Sequence, residues 1–209
     1  MRFPFVKDSI PFICVTFISF IFFALAGFAI LSLISILLLL FFIIFFRDPE
    51  RTTPHLKDAI IAPADGKIIS IERDKDIEGK RFQKISIFMS IWDVHVNRIP
   101  FGGMVKDIEY RPGRFLTAYK DEASESNEQN IVDIESHNGH RIRVVQVAGI
   151  FARRIVCWLK RGEIVKAGQR LGVIRFGSRV DLFLPEHSEI IRQVGEKVKA
   201  GRDIIGYLR

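Results

Sequence analysis

The chain has 209 residues, a formal net charge of +7, a pI near 9.6 and a hydrophobic share of 48%. That length leaves room for one modest domain plus an appendage, and no more. Two cysteines, Cys14 and Cys157, lie in unlike contexts, which do not suggest a disulfide framework or a metal site and fit a reducing compartment; the basic balance suits nucleic acid and an anionic membrane surface equally.

Residues 1–9 are short and carry Arg2, Lys7 and Asp8. From residue 10 to residue 46 nearly every side chain is apolar. That run is too long for the core of a secretory signal, about 7–15 residues. As one helix it would reach about 55 Å, against a hydrocarbon core of about 30 Å. Ala26-Gly27 lies near its middle. The run therefore reads as a membrane-embedded helical hairpin, residues 11–25 and 28–46, within an anchoring segment 1–51. One long tilted span is the alternative. No charge lies between the two halves, and Arg2, Lys7, Arg47 and Arg51 flank them, so the positive-inside rule puts both flanks of a hairpin in the cytoplasm. Arg47-Asp-Pro-Glu-Arg51 reads as an ordinary stop-transfer flank, with Pro49 and Pro54 ending any helix.

From Ala59 the pattern changes to strands, and residues 52–209 read as one β-rich domain. β-Branched runs flank a Pro63-Ala-Asp-Gly66 turn. Lys84-Ile-Ser-Ile-Phe-Met89 alternates, as does Gly102-Gly-Met-Val-Lys-Asp-Ile-Glu-Tyr110. Ile131-Val-Asp-Ile-Glu135 and Arg141-Ile-Arg-Val-Val-Gln-Val147 flank His137-Asn-Gly-His140, and Asn-Gly is a strong hairpin signal. Residues 118–130 are polar, acidic and without period, and read as a loop over a site. Residues 151–159 suit either a short helix or a strand.

The C-terminal part repeats itself. Gly162-Glu-Ile-Val-Lys-Ala-Gly-Gln-Arg-Leu-Gly172 matches Gly195-Glu-Lys-Val-Lys-Ala-Gly-Arg-Asp-Ile-Ile-Gly206. Each copy reads as a turn, a short strand, a glycine turn and a second strand. The pattern resembles the barrel-sandwich modules that carry biotinyl and lipoyl groups. The expected fold class is thus mainly β, with an embedded helical hairpin before it and a barrel-sandwich C-terminal part.

Between the copies lies Arg175-Phe-Gly-Ser-Arg179. A bare Gly-Ser pair between strand-like runs is ordinarily a turn. It can also do chemistry. A serine hydroxyl can attack the carbonyl before it and turn the amide into an ester, and glycine in front leaves the approach open. β-Elimination then splits the chain, and the serine becomes dehydroalanine, which hydrolyses to a pyruvoyl group with loss of ammonia. Such a carbonyl condenses with amines, so a chain without bound cofactor acquires an electron sink.

That chemistry needs a base. Of the five histidines, His137 and His140 border a hairpin turn, His55 lies in the linker and His187 in a turn. His95 differs: in Ser90-Ile-Trp-Asp-Val-His-Val-Asn-Arg-Ile-Pro100 a strand would put Asp93, His95 and Asn97 on one face. The alternative is a buried histidine satisfied by a neighbour. Asp65 is either a common Asp-Gly turn residue or a carboxylate that orients a histidine. No histidine has a third metal-ligand neighbour, so no metal is expected.

Four motifs, in order, resemble the phosphatidylserine decarboxylase proenzymes of the short bacterial and archaeal type. They are Phe45-Phe-Arg-Asp-Pro-Glu-Arg51, Ala62-Pro-Ala-Asp-Gly-Lys67, Asp93-Val-His-Val-Asn-Arg-Ile-Pro100 and Phe176-Gly177-Ser178. The resemblance implies a self-cleaving, pyruvoyl-dependent enzyme of the cell membrane, with its catalytic domain facing the cytoplasm, that makes phosphatidylethanolamine from a phospholipid substrate. Phosphatidylserine and its archaeal ether analogue, archaetidylserine, share the reacting head group. It implies cleavage at Gly177-Ser178 and a heterodimer of chains 1–177 and 178–209. It implies Ser178 as the source of a covalent pyruvoyl group, His95 in decarboxylation and Asp65 in self-cleavage. Homo-oligomerisation is left open. Longer members carry a second histidine where this chain has Arg98, so the cleavage base stays open between His95 and Asp65. Arg98, Arg175 and Arg179 are candidates by charge for holding the phosphate.

Two other classes compete. A membrane-anchored lipoyl-like carrier or adaptor explains the hairpin and the repeat, but such carriers present a lysine where this chain has Gly-Ser. A nucleic-acid-binding domain explains the charge alone, and an anionic lipid surface explains it as well; no nucleic acid is expected.

Overall fold

The computed structural model describes residues 5–77, 79–113, 127–149, 154–175 and 178–209. The chain divides into two compact units, Met1–Glu50 and Arg51–Arg209.

In the first unit a 3-10 turn, Lys7–Ser9, leads into α1 (Ile10–Leu25), and α2 (Ala29–Phe45) follows. Pro11 sits in the first turn of α1, where its missing N–H breaks no helical bond. Gly27 ends the helix at φ +78°, a left-handed conformation that suits glycine. The chain then reverses. Phe12 of α1 lies 5.5 Å from the ring of Phe42 and 5.8 Å from that of Phe46, so the start of α1 packs on the end of α2. The helix pair expected from the sequence is present, with its break at Gly27. The helical stretch Lys7–Leu25 is long and apolar enough to cross a membrane, and α2 is shorter.

The second unit is built of strands. These are β1 (Ala59–Ile61), β2 (Gly66–Ile77), β3 (Lys80–Met89), β4 (Val96–Arg98), β5 (Gly103–Arg111), β6 (Gln129–Glu135) and β7 (Arg141–Ala148). Then come β8 (Ile155–Cys157), β9 (Ile164–Val165), β10 (Arg170–Ile174), β11 (Ser178–Pro185), β12 (Glu189–Ile190), β13 (Lys197–Val198) and β14 (Ile204–Tyr207). An eight-stranded sheet runs β13-β2-β3-β11-β7-β6-β5-β9, and two three-stranded sheets run β1-β14-β12 and β4-β10-β8. All three share one core. Ile60, Ile205, Leu171 and Ile174 of the small sheets join Ile85, Ile87, Val144, Val180 and Leu182 of the large one, all fully buried. The strand at 155–157 settles the ambiguous stretch for its described residues, and Gln129 and Asn130, read as loop, begin β6.

The repeat is one part of a wider internal symmetry. Its short strands β9 and β13 cap opposite ends of the large sheet, and its longer strands β10 and β14 are the middle strands of the two small sheets. Gly162 N–H donates to Val105 O and Gly195 N–H to Ile68 O; Gly168 N–H donates to Ile99 O and Gly201 N–H to Ala62 O. The halves also cross-link reciprocally: Ile61 N–H donates to Pro100 O, and Arg98 N–H to Pro63 O. Strands β4 to β10 form one half, and β1–β3 with β11–β14 form the other. One half is inserted into the other, and β7 and β11 pair where they meet. This return delivers Ser178 to the middle of the sheet.

Candidate active site

Ser178 opens β11, opposite Met89 at the end of β3 and Ala148 at the end of β7. It is therefore a strand residue with a neighbour on each side, not part of a hairpin turn. Phe176 and Gly177 lie outside the described residues. Val180, Leu182 and Leu184 point into the core, and Ser178 shares their phase and is fully buried. Its hydroxyl donates to Met89 Sδ at 3.4 Å. A thioether is a weak acceptor, so this bond holds the proton only loosely.

Asn97 Nδ2 donates to the same sulfur at 3.5 Å. Asn97 Oδ1 accepts from Gln146 Nε2 at 2.8 Å, and Gln146 Oε1 accepts from Asn130 Nδ2 at 2.9 Å. All three amides are buried. A string of polar side chains thus runs from Ser178 into the sheet. Met89, Gln146 and Asn130 escaped the sequence reading, although one signal was present. Gln146 falls on the inward phase of β7, between Val144 and Ala148, where a polar residue needs a partner.

His95 is also buried, but not as one of a row on a strand. The strand begins only at Val96, because Asp93 folds residues 90–93 into a turn. Its carboxylate accepts from Ser90 N–H at 2.8 Å and from Ser90 Oγ at 2.7 Å, and its own N–H donates to Ser90 O. The Asp93 backbone carbonyl, not its carboxylate, lies 3.0 Å from His95 Nδ1. Donation from Nδ1 makes Nε2 the nitrogen able to take a proton. His95 O accepts from the N–H of Ile174, the last residue of β10, which ties this loop to the segment leading to Ser178.

Asp65 sits just before Gly66, where β2 begins. A Cβ at Gly66 would run into the Phe88 carbonyl, so β2 and β3 approach closely there. β3 separates β2 from β11, which puts Asp65 roughly 10 Å from Ser178 by strand spacing. Asp65 Oδ2 pairs with Arg51 Nη2 at 2.9 Å, and Oδ1 accepts from Ala200 N–H at 2.7 Å. Burial pushes its carboxyl above the ordinary 3.8, while Arg51 and the Ala200 N–H pull the other way and Asp93 adds to the rise. Arg51 is thus more than a stop-transfer flank. In the symmetric half, Gly102 takes the place of Asp65 and stands against Ala167 N without a side chain. The turn itself does not require a carboxylate.

The arginines divide. Arg179, on the opposite face from Ser178, is fully buried and pairs with Asp181 at 3.0 Å, so its charge is matched inside the fold. Arg98 is buried and donates from Nη1 to Gly168 O at 3.0 Å. These two are structural anchors rather than open phosphate contacts. Arg175 is half-buried, and its N–H donates to the carbonyl of exposed Arg154.

The family model for phosphatidylserine decarboxylase matches residues 38–206. A phosphatidylserine decarboxylase proenzyme from Syntrophus aciditrophicus (strain SB) is 49% identical over 164 residues, 78% of this chain and 77% of that protein. One from Desulfotalea psychrophila is 45% identical over 208 residues, 98% of this chain and 97% of that protein. One from Geotalea uraniireducens is 40% identical over 206 residues, with the same coverage of 98% and 97%.

Proposed function

The chain belongs to the phosphatidylserine decarboxylase family, and from that membership we propose that it cuts itself between Gly177 and Ser178 and then decarboxylates phosphatidylserine at a membrane surface. The observation that carries this reading is Ser178 itself, a buried hydroxyl at the first position of a central strand that donates to a thioether, a weak acceptor.

In the cut, Ser178 Oγ attacks the Gly177 carbonyl carbon. The C–N bond breaks, the nitrogen takes the hydroxyl proton, and an ester joins the two chains. Removal of the α-proton of residue 178 then expels the Gly177 carboxylate from Cβ. Water replaces the nitrogen, ammonia leaves, and residue 178 ends as pyruvoyl. Position 178 suits that group: its backbone is held by β3 and β7, and its side-chain space is bounded by Met89, a soft surface for a methyl. When formed, the group supplies a carbonyl that condenses with the substrate amine and takes up the electrons released with CO2.

The other residues act around it. His95 returns a proton to the former α-carbon, using the nitrogen that does not face Asp93. Asp65 serves the cut, as a carboxyl that burial raises above its ordinary value. One of the two serves as the base for Ser178, Asp65 only through an intervening group since it stands two strands away. The helices of residues 10–46 embed in the membrane with both flanks cytoplasmic, and the catalytic unit faces the cytoplasm. The shared core of the repeat hairpins supports a barrel-sandwich reading of the C-terminal part.

Denaturing electrophoresis tests the proposal. The parent should give two chains and Ser178→Ala one; a split that persists in that variant overturns the mechanism.

A further inference from the structure

The turn of residues 90–93 leaves the large sheet at the same rim as Ser178, because Met89, which precedes it, pairs with Ser178. The turn is tightly built: the Asp93 carboxylate holds both the N–H and the hydroxyl of Ser90. What this fixed turn displays is apolar. Trp92 is 65% exposed and Ile91 41% exposed. Two large apolar side chains at the tip of a locked turn are costly in water, and tryptophan suits the boundary between water and lipid. The neighbouring rim is basic. Arg175 lies three positions before Ser178, and Arg154, exposed, is bonded to it through the backbone.

We propose that Ile91 and Trp92 dock this rim of the catalytic unit into the interface of a bilayer holding anionic phospholipid, with exposed Arg154 against its head groups. The inference rests on the decarboxylase reading for its purpose: a head group must reach residue 178, and a contact on the same rim sets the depth at which it does so. Charge complementarity selects the occupant, since an exposed arginine beside an apolar tip suits an anionic surface rather than a neutral one.

Two measurements on the full chain test it. Trp158→Phe leaves Trp92 as the one tryptophan of the sequence. In vesicles of phosphatidylcholine and phosphatidylserine, brominated acyl chains should quench its emission relative to unbrominated ones. Equal emission in the two, or quenching only at high protein density, which would report a second copy on the turn, overturns the proposal. Ile91→Ser with Trp92→Ser should lower kcat/KM about tenfold on bilayer phosphatidylserine, while CO2 release from a water-soluble short-chain phosphatidylserine stays within about twofold, as an off-site substitution leaves chemistry intact. Equal losses on both substrates, or none on either, contradict it. If the parent releases no CO2 from either substrate, the decarboxylase reading falls, and the quenching still decides the bilayer contact by itself.

Discussion

Asn97 and Ser178 meet on one atom: Met89 Sδ accepts from both, at 3.5 and 3.4 Å. Gln146 and Asn130 hold Asn97 from behind, so the Ser178 hydroxyl is positioned by a string that ends two strands away. Gln146→Leu would leave buried Asn97 Oδ1 without its donor. The expected cost is about 1–3 kcal/mol, read by chemical denaturation, together with slower conversion of proenzyme to two chains. Normal conversion in a destabilised Gln146→Leu protein would show that the string serves the core alone.

Asp65 and Arg51 form a partly desolvated pair, and removing one leaves the other buried. Arg51→Ala is expected to destabilise by on the order of 3 kcal/mol, and to raise the Asp65 carboxyl further. Asp65→Ala should accumulate uncut proenzyme. The raised folded value carries a sign: this group favours the native state most below pH 3.8, and that contribution fades as pH rises through the folded value. If the cut needs the carboxylate, its rate should fall on acidification at a higher pH than an ordinary aspartate would dictate. A pH series on freshly synthesised proenzyme measures this, and a rate flat down to pH 3.8 removes Asp65 from the step.

Asp133 has the opposite sign. Burial alone would raise its carboxyl, but hydrogen bonds from Arg143 and Arg141 outweigh that and hold it below 3.8. Its contribution is full above pH 3.8 and is lost as pH falls through the depressed folded value. Asp133→Asn should cost about 3 kcal/mol at neutral pH, with the gap to the parent narrowing below pH 3.8. A gap that does not change with pH would mean the loss comes from packing.

His95→Ala should release no CO2 whether or not it cuts. If it stays uncut, His95 also supplies the base that Arg98 cannot. Normal cutting with a decarboxylation rate equal to the parent would make it a packed residue only.

The sequence pattern carried the fold further than the site. The helix break at Gly27, the Asn-Gly hairpin between β6 and β7 and the strand runs could be read because each depends on neighbours in sequence. The symmetry around the repeat could not, since it appears only when β2 and β5 are seen to take β13 and β9 at opposite edges. His95 and Ser178 stood out in the sequence as candidates, and both are buried in the fold. Arg51 beside Asp65 did not stand out, because fourteen positions apart on a polar linker no periodicity joins them. The supposed row of Asp93, His95 and Asn97 failed for a local reason: Asp93 found Ser90 three residues back, and a turn formed where alternation suggested a strand.

Cleavage before Ser178 would leave residues 178–209 holding β11 between β3 and β7, β13 on β2, and β14 between β1 and β12. The two chains should therefore stay together in native size-exclusion chromatography and part only on denaturation. The intact masses of the separated chains test the central claim most directly. The account predicts one mass for residues 1–177 and one for residues 178–209 lighter by one ammonia than the unmodified peptide. A single full-length mass, or a small chain beginning with an intact serine, would contradict it.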